Sequence, residues 1–308
     1  MASLLLALFG CTLSSALLTG TRGINLPPQR GSSDQGCFLP GVFNYTYDAK
    51  NISRVRAAGM TGLRVPCNVE TARHPAVLRQ MREYVEMMMK PSAGGTSGAG
   101  TTSGVRSIIC MWDTLLPNQT GHGDGLINNV TAFAEAWSAV SEAFRGLDGV
   151  MFEIFNEPFG YSSVTGGGGG GGGGGKGGGG EHYLAEMKTV LRLAGLELDD
   201  PRIILDGVGY ADNVRAVASA GWNGDLAYHY YPNWVPDGQG TESRYSERAH
   251  GDLQGLSHRV WLTEFGSDLS RSDYDKPDPD PKDAAVNSLR GLDDALSGFE
   301  AAGAGLRG

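Results

Sequence analysis

The segment GVMFEIFNEP, residues 149–158, is the strongest indication of the fold in the sequence. Its first seven residues are apolar apart from Glu153, and such a short apolar run is typical of a parallel strand buried on both faces. Asn156, Glu157 and Pro158 follow at once, and a proline does not continue a central strand. The segment therefore predicts a buried strand that is followed directly by polar side chains.

Six other short apolar runs lie at residues 22–26, 62–66, 105–112, 202–207, 226–231 and 259–265. Stretches with helical spacing alternate with them, at 51–60, 76–90, 132–146, 183–196 and 284–302, with a shorter one at 211–218. Alternating strands and helices predict parallel βαβ units. The first run lacks the G-x-G-x-x-G motif of dinucleotide-binding sheets, which disfavours a doubly wound fold.

Polar residues stand at the carboxyl ends of many of these runs: Arg64, Asn156, Glu157, His229, Tyr231 and Glu264. In a barrel, the carboxyl ends of all strands converge on one mouth, where the active sites of such barrels lie. We therefore predict an α/β fold, a (β/α)8 TIM barrel. After residue 265 the sequence offers a helix but no further apolar run, so we expect a barrel that lacks its eighth strand and helix, from a fragment or a truncated gene.

Composition and charge limit the class of protein. The 308 residues suffice for one barrel domain, and the net charge of −9 argues against nucleic acid as a partner. The four cysteines, Cys11, Cys37, Cys67 and Cys110, match no zinc-binding pattern. Because Cys11 lies in the apolar N-terminal stretch, at most one disulfide is expected. No metal and no organic cofactor is implied.

The first 18 residues resemble a signal peptide, which leaves residues 19–308 as the barrel domain. The alternative is an apolar lead-in to the first strand. Four N-x-[ST] sequons begin at Asn44, Asn51, Asn118 and Asn129, and they favour a secreted, extracellular glycoprotein. No later segment is long and apolar enough to span a membrane. Low-complexity stretches at 91–104 and 166–180 are predicted to be loop insertions.

Two glutamates carry the predicted chemistry. Glu157 and Glu264 each lie at the end of a strongly apolar strand, where an ionised carboxylate is disfavoured unless it has partners. Two carboxylates that face each other across a barrel mouth suit glycoside hydrolysis, in which one protonates the leaving oxygen and the other attacks the anomeric carbon or activates water. The alternative is a structural pair of glutamates bound to Arg64.

Five short motifs resemble glycoside hydrolase family 5, the cellulase family, which belongs to a clan of retaining barrel glycosidases. They are GINL at 23–26, LRVP at 63–66, EIFNEP at 153–158, HYY at 229–231 and TEFG at 263–266. Asn-Glu-Pro alone is only moderately specific. The ordered set of five motifs spans about residues 20 to 270 at barrel spacing and is much more specific.

Carried over residue by residue, the resemblance implies a role for each residue of these motifs. Glu157 would be the general acid and then the general base, and Glu264 the nucleophile. Asn156 would bind the sugar 2-hydroxyl. Arg64 and Tyr231 would keep Glu264 ionised and oriented, because a nearby cation lowers the pKa of a carboxyl.

Further residues are candidates for contact with the sugar. The resemblance implies that His229 lies beside the acid/base; the alternative is a core histidine. Trp112 and Trp234 are candidate stacking residues near the mouth, although either could equally pack in the core. Trp137 and Trp261 are expected to pack in the core.

One departure from the family pattern lies late in the third strand. The family usually has a histidine there or just after it, whereas this chain reads Cys110-Met111-Trp112-Asp113 and has His122 only later. Whether Asp113 or His122 takes that role is open.

The leading hypothesis is thus an endo-β-1,4-glucanase that acts as a monomer on a β-glucan or related polysaccharide. The same two glutamates would serve a β-mannanase or a β-1,3-glucanase. A catalytically silent, carbohydrate-binding barrel is the alternative of another class. A retaining mechanism predicts carboxyl groups about 5 Å apart.

Overall fold

A computed structural model of the protein describes residues 23–25, 41–45, 49–89, 107–112, 124–161, 179–235, 240–266 and 283–301. Within these ranges, seven parallel strands form one sheet in which each strand pairs with its neighbours in sequence. The strands are β1 (Gly23–Asn25), β2 (Gly62–Cys67), β3 (Ser107–Met111), β4 (Val150–Glu153), β5 (Ile203–Asp206), β6 (Asp225–Tyr230) and β7 (Val260–Phe265).

Eight α-helices of the described residues alternate with these strands. They are α1 (Ala49–Ala57), α2 (Val69–Ala72), α3 (Pro75–Met89), α4 (Val130–Ala143), α5 (Gly179–Ala194), α6 (Val214–Ser219), α7 (Glu242–Leu253) and α8 (Ala284–Ala301). The predicted α/β barrel is confirmed, and its eighth strand–helix unit is absent from the residues that the structure describes. Within the described residues, no helix has both the length and the apolar character that a membrane span needs.

The sheet is a nearly closed barrel, because side chains link its two edge strands. The side chain of Asn25 on β1 donates to the backbone carbonyl of Thr263 on β7 at 3.5 Å. Arg64 on β2 also donates to the Asn25 amide oxygen, at 3.2 Å, and binds Glu264 on β7. The gap between β1 and β7 is therefore bridged by polar side chains at the level of the mouth.

The two faces of the sheet have different surroundings. The outer face packs under the helices in the main core, which includes Leu63, Val65 and Phe152. Inside the barrel an apolar layer is formed by Ile108, Met151, Ile204, Ala227 and Trp261. Residues two positions further along a strand point to the same face. In four of these strands those residues are Cys110, Glu153, Asp206 and His229. A polar layer therefore lies directly on the apolar one, toward the mouth.

An irregularity in β7 gives Glu264 its direction. Tyr228 on β6 pairs with Leu262, but the next residue, His229, pairs with Glu264, so β7 contains one extra residue. Trp261 lies in the inner apolar layer, and a residue three positions later in a regular strand would face outward. A bulge that inserts one residue restores the inward direction. Glu264 therefore faces the barrel interior beside His229.

Some helices differ from the sequence-based prediction. Helix α7 was not predicted, although the Thr241 hydroxyl caps it by accepting from the Arg244 N–H. The prediction of a loop at 166–180 is wrong at its end, because Gly179 and Gly180 lie in the first turn of α5. A Cβ on Gly180 would lie 2.4 Å from the carbonyl oxygen of Ala216, so this close approach of α5 to α6 requires glycine.

Several predictions fall on residues outside the described ranges. They are the signal peptide at 1–18, the loops at 91–104 and 166–178, Cys11, Cys37, Asp113, the sequon at Asn118, and His122.

Candidate active site

Arg64 is the centre of the polar layer. Its side chain is only 3% exposed, and its guanidinium binds Glu153 with two nitrogens, Nε at 2.7 Å from Oε2 and Nη2 to Oε1. The same Nη2 lies 2.7 Å from the Asn156 amide oxygen, and Nη1 contacts Glu264 Oε1. A planar guanidinium can hold several acceptors at fixed angles. Arg64 therefore orients Glu264 and Asn156 at once.

Glu264 is held in its ionised form. Its carboxylate is 8% exposed and accepts a hydrogen bond from the Tyr231 hydroxyl at 2.7 Å, besides its contact with Arg64. Burial by itself would raise the pKa of this carboxyl, but the charges of His229 and Arg64 and the Tyr231 hydrogen bond outweigh burial and lower the pKa. An ionised, oriented carboxylate is what a nucleophile requires.

Glu157 lies four residues beyond the end of β4, in a strained backbone conformation. Its φ is +50°, in the left-handed region that non-glycine residues seldom adopt. Its N–H donates to the Asp206 carboxyl oxygen Oδ2 at 2.9 Å, and Phe159 donates its N–H to the Glu157 carbonyl at 2.7 Å. Such strain costs about 1–3 kcal/mol and persists only where the surroundings enforce it. These two hydrogen bonds help to hold the backbone that aims the Glu157 side chain.

His229 lies between the two glutamates. Its Nδ1 is 3.0 Å from Glu157 Oε1 and 3.7 Å from Glu264 Oε2, and the ring is fully buried. Burial alone lowers the pKa of His229, but the carboxylates of Glu264 and Glu157 outweigh it and raise the pKa above its usual value. The histidine can therefore exchange a proton with Glu157 or stabilise its negative charge.

The spacing of the two carboxyl groups bears on the reaction type. One oxygen of Glu157, one oxygen of Glu264 and a His229 nitrogen all lie within 4.8 Å of one another. Carboxyl groups about 5–5.5 Å apart are typical of retaining glycosidases, whereas inverting enzymes need about 6.5–9.5 Å for a water molecule. The arrangement agrees with the shorter spacing and allows direct attack by Glu264.

A second pair of acids, Glu153 and Asp206, lies below the site and was not assigned a role from the sequence. Both side chains are fully buried. Burial favours the neutral form of Glu153, yet the charge and hydrogen bonds of Arg64 outweigh it and lower its pKa. Burial and the negative charge of Glu153 raise the pKa of Asp206 well above its usual range. Glu153 is therefore the anion of the pair and Asp206 the neutral acid.

Two groups of residues have the donor atoms that a metal ion would need: Glu157 with His229 and Glu264, and Glu153 with Asp206 and His229. In both groups Arg64 already binds one of the carboxylates, Glu264 in the first and Glu153 in the second. A metal cation would have to compete with this guanidinium. The geometry suits proton transfer better than metal binding.

The tryptophans separate into core and mouth positions. Trp137 and Trp261 are buried, as predicted, and donate through Nε1 to the Ile154 carbonyl and the Asp225 carboxylate. Trp112 is partly exposed just after β3, at the mouth. The side chain of Trp234 lies outside the described part of the structure.

The thiols of Cys67 and Cys110 are both buried and free. Cys110 lies in the polar layer, where its sulfur is 3.1 Å from Arg64 Nη2. Burial raises the pKa of the Cys67 thiol to about 12 and that of the Cys110 thiol well above its usual value. Both thiols are therefore neutral near pH 7 and pack as small side chains.

No protein-family model and no curated protein matches the chain in sequence. Solved structures do match it in shape. An endo-β-1,4-glucanase of Xanthomonas axonopodis pv. citri has a TM-score of 0.58 at 15% identity, over 94% of this chain and 86% of the glucanase. An endocellulase of Pyrococcus horikoshii in complex with cellotetraose has a TM-score of 0.54 at 12% identity, over 91% of this chain and 82% of the endocellulase. At such low identity, the likeness shows that this chain shares the barrel fold of these enzymes.

Proposed function

We propose that this protein is a retaining glycoside hydrolase of the cellulase type, which cleaves a β-1,4-linked glucan. The observation that carries the proposal is the arrangement of Glu157 and Glu264. Their oxygens lie within 4.8 Å of each other at the mouth of a barrel, and both approach one buried histidine. Arg64 and Tyr231 bind Glu264 but not Glu157, and this difference gives the two glutamates different roles.

In the first step of the proposed reaction, Glu264 attacks the anomeric carbon. The glycosidic bond breaks as Glu157 gives its proton to the leaving oxygen, and the sugar becomes an ester of Glu264. In the second step, Glu157 takes a proton from a water molecule, whose oxygen attacks the anomeric carbon and releases Glu264. Two inversions at one carbon retain the β configuration. Asn156 is placed by Arg64 to bind the 2-hydroxyl of the sugar during both steps.

The substrate is proposed from the solved structures of similar shape. Structures of similar shape are those of endo-β-1,4-glucanases, and one of them binds cellotetraose. A β-mannanase or a β-1,3-glucanase would need the same two glutamates, and loops set the difference. A β-1,4-glucan is therefore the first substrate to test, with mannan and a β-1,3-glucan as alternatives.

The test of the proposal is the release of reducing ends from soluble β-1,4-glucan, β-1,3-glucan and mannan. The wild type should hydrolyse the β-1,4-glucan, and Glu264→Gln should lower kcat at least a thousandfold while the oligosaccharide still binds. Glu247→Gln, which changes an exposed glutamate on α7, is the matched control and should retain full activity. Undiminished hydrolysis by a folded Glu264→Gln variant would refute the nucleophile assignment. Binding without hydrolysis by the wild type would favour the silent barrel.

We also propose that the protein is secreted and glycosylated. Of the sequons, Asn44 and Asn129 have exposed side chains, and Asn129 also caps α4 by accepting from the Ala132 N–H. Expression in a eukaryotic secretory system should give a protein that becomes smaller on treatment with an endoglycosidase. Recovery of unglycosylated protein inside the cells would contradict the proposal.

A further inference from the structure

The turn that carries the proposed acid/base is held at its far end by a buried tyrosine. Glu157 is followed by a single turn of 3-10 helix, Phe159–Tyr161, and the Tyr161 N–H donates to the Pro158 carbonyl at 3.2 Å. The side chain of Tyr161 is 3% exposed. Its ring packs edge-on against that of Phe155, two residues before Glu157, with the centroids 6.5 Å apart. Tyr161 therefore contacts the chain on both sides of the acid/base.

The Tyr161 hydroxyl joins this turn to two other parts of the barrel. It accepts a hydrogen bond at 3.2 Å from the N–H of Ile127, in the segment that leads into α4, and it donates to the Glu186 carboxylate on α5. Burial and the hydrogen bond to Glu186 raise the pKa of the hydroxyl, which therefore keeps its proton and remains a donor. Hydrogen bonds to an ionised acceptor are stronger than those between neutral groups. The hydroxyl is thus a junction with one partner for its proton and one for its oxygen.

Two glycines let the turn lie directly on the segment that precedes α4. The Gly160 N–H donates to the Gly125 carbonyl at 3.2 Å. A Cβ on Gly160 would lie 2.5 Å from the Asp124 carbonyl oxygen, and a Cβ on Gly125 would lie 2.5 Å from the Gly160 nitrogen. Such a close approach of backbone to backbone requires glycine on both sides. The turn and this segment are therefore packed as one unit, which the Tyr161 hydroxyl ties to α5.

The junction helps to hold the strained backbone of Glu157. A φ of +50° persists only where the surroundings enforce it. The Asp206 carboxyl holds the Glu157 N–H, whereas the Tyr161 hydroxyl holds the turn that follows Glu157. Without this second anchor, the turn could relax toward a regular conformation and carry the Glu157 carboxyl away from the leaving oxygen. A general acid must lie within hydrogen-bond reach of the atom that it protonates, so the anchor bears directly on catalysis.

We propose that Tyr161 and Glu186 are positioning residues, which fix the turn so that the acid/base, Glu157, can protonate the leaving oxygen. This inference rests on the proposed function and deepens it, because it extends the assembly that supports the acid/base to helix α5. The nucleophile lies outside this assembly, since Glu264 is on β7 and has partners of its own. Loss of the junction should therefore weaken proton transfer to the leaving group and leave the attack by Glu264 intact.

The test compares two aryl cellobiosides that differ only in their leaving group. Phenyl β-cellobioside releases a phenol, whose oxygen needs a proton from the acid as the bond breaks, whereas 2,4-dinitrophenolate is a stable anion that leaves without one. For both substrates, kcat/KM reports the first displacement. Tyr161→Phe keeps the ring and removes the hydroxyl. Its kcat/KM should fall about tenfold for the phenyl substrate and stay within about twofold of wild type for the dinitrophenyl substrate.

A second variant makes the test independent of the tyrosine itself. Glu186→Ala removes the half-buried partner on α5 and should show the same loss on the phenyl substrate alone. Glu186→Gln keeps an acceptor oxygen for the Tyr161 hydroxyl and should retain most of the activity. If Tyr161→Phe did not fold, the two variants of Glu186 would decide.

The matched control is Tyr228→Phe, which removes another buried tyrosine hydroxyl that donates to a carboxylate on a helix, that of Asp252 on α7, at 2.9 Å. It should lower the Tm but keep the ratio of the two kcat/KM values. Equal losses on both substrates in Tyr161→Phe or Glu186→Ala would indicate a structural role and overturn the inference, as would full activity of both variants on the phenyl substrate. The glycosidase assignment would survive either result. Hydrolysis of neither substrate by the wild type would overturn the proposed function together with the inference.

Discussion

Asp206→Asn should leave the protein almost as stable and active as the wild type, whereas Glu153→Gln should lower its stability. Both acids are fully buried. Of the two, Glu153 is the one that Arg64 binds, and it does so through two nitrogens. Asparagine has the shape of a neutral aspartic acid, so its amide oxygen can accept the Glu157 N–H while its NH2 replaces the acid's O–H. Glutamine at 153 instead removes a charge that Arg64 requires.

The hydrogen bonds give the expected magnitudes. Loss of a charge-assisted hydrogen bond costs about 1.5–3 kcal/mol, so Glu153→Gln should lower the Tm by roughly 3–12 °C. Asp206→Asn should change stability by less than about 1 kcal/mol. Asp206→Ala leaves the partly buried Glu157 N–H without its acceptor, at about 1–3 kcal/mol. Because this hydrogen bond fixes the backbone of the acid/base Glu157, kcat/KM should fall about tenfold with little change in KM.

The assays are thermal denaturation followed by circular dichroism and kinetics on cellotetraose. A further readout is the pH dependence of the difference in stability between wild type and Asp206→Asn. The folded wild type retains a proton on Asp206 that the unfolded chain releases above about pH 4, so its stability relative to the variant should fall as the pH rises from there. If Asp206→Asn were as damaging as Asp206→Ala, Asp206 would have to be ionised, and the assignment of charges would be refuted.

Two further predictions concern the buried charges of the site, and a third concerns the packing of α8 on α7. The lowered pKa values of Glu153 and Glu264 contribute stability that is complete above about pH 4.3 and lost as the pH falls further; a Tm that did not decline below pH 4 would contradict this. Arg64→Lys keeps the charge but lacks the planar guanidinium that fixes several acceptors at set angles, so kcat/KM should fall about 10- to 100-fold; unchanged kinetics would exclude an orienting role. Gly291→Ala in α8 should lower the Tm, because the added Cβ would lie 2.5 Å from the Glu242 carbonyl oxygen. A Cβ at Gly251 in α7 meets open space, so Gly251→Ala should stabilise the protein by up to about 1 kcal/mol. Equal Tm shifts in these two glycine variants would count against the packing of α7 on α8.

The strands were predictable because their burial on both faces leaves a continuous apolar run. The segments around 62–66, 202–207 and 259–265 all became strands whose bounds differ from the prediction by at most one residue. Helix α7 was missed because most of its residues are polar, and only Tyr245, Ala249 and Leu253 mark its buried face at helical spacing.

The site could be predicted only in part. Glu157 and Glu264 stood out because each follows an apolar run. Their approach to His229 depends on the extra residue in β7, which no local pattern reveals. Glu153 and Asp206 are acidic residues inside apolar strands, and this position indicates that they have a structural or functional role. Which of them carries the charge follows from the position of Arg64, a contact between residues 89 apart in the sequence.

The rings of Phe159 and Tyr210, which stack with their centroids 4.9 Å apart, show the same limit. The two rings come from loops after neighbouring strands and meet only once the barrel has formed. Sequence reasoning selected Trp112 and Trp234 for sugar contact because tryptophan is the largest aromatic residue. A ring's exposure, which decides whether a sugar can stack on it, depends on the tertiary structure.

If Glu264 attacks the anomeric carbon directly, the configuration of the first product must reflect that attack. Proton NMR should be recorded during the first minutes of cellotetraose hydrolysis, before the released sugar mutarotates. The new reducing ends should appear first as the β-anomer, because two displacements retain the configuration. Initial release of the α-anomer would show a single displacement by water and contradict the roles given to both glutamates.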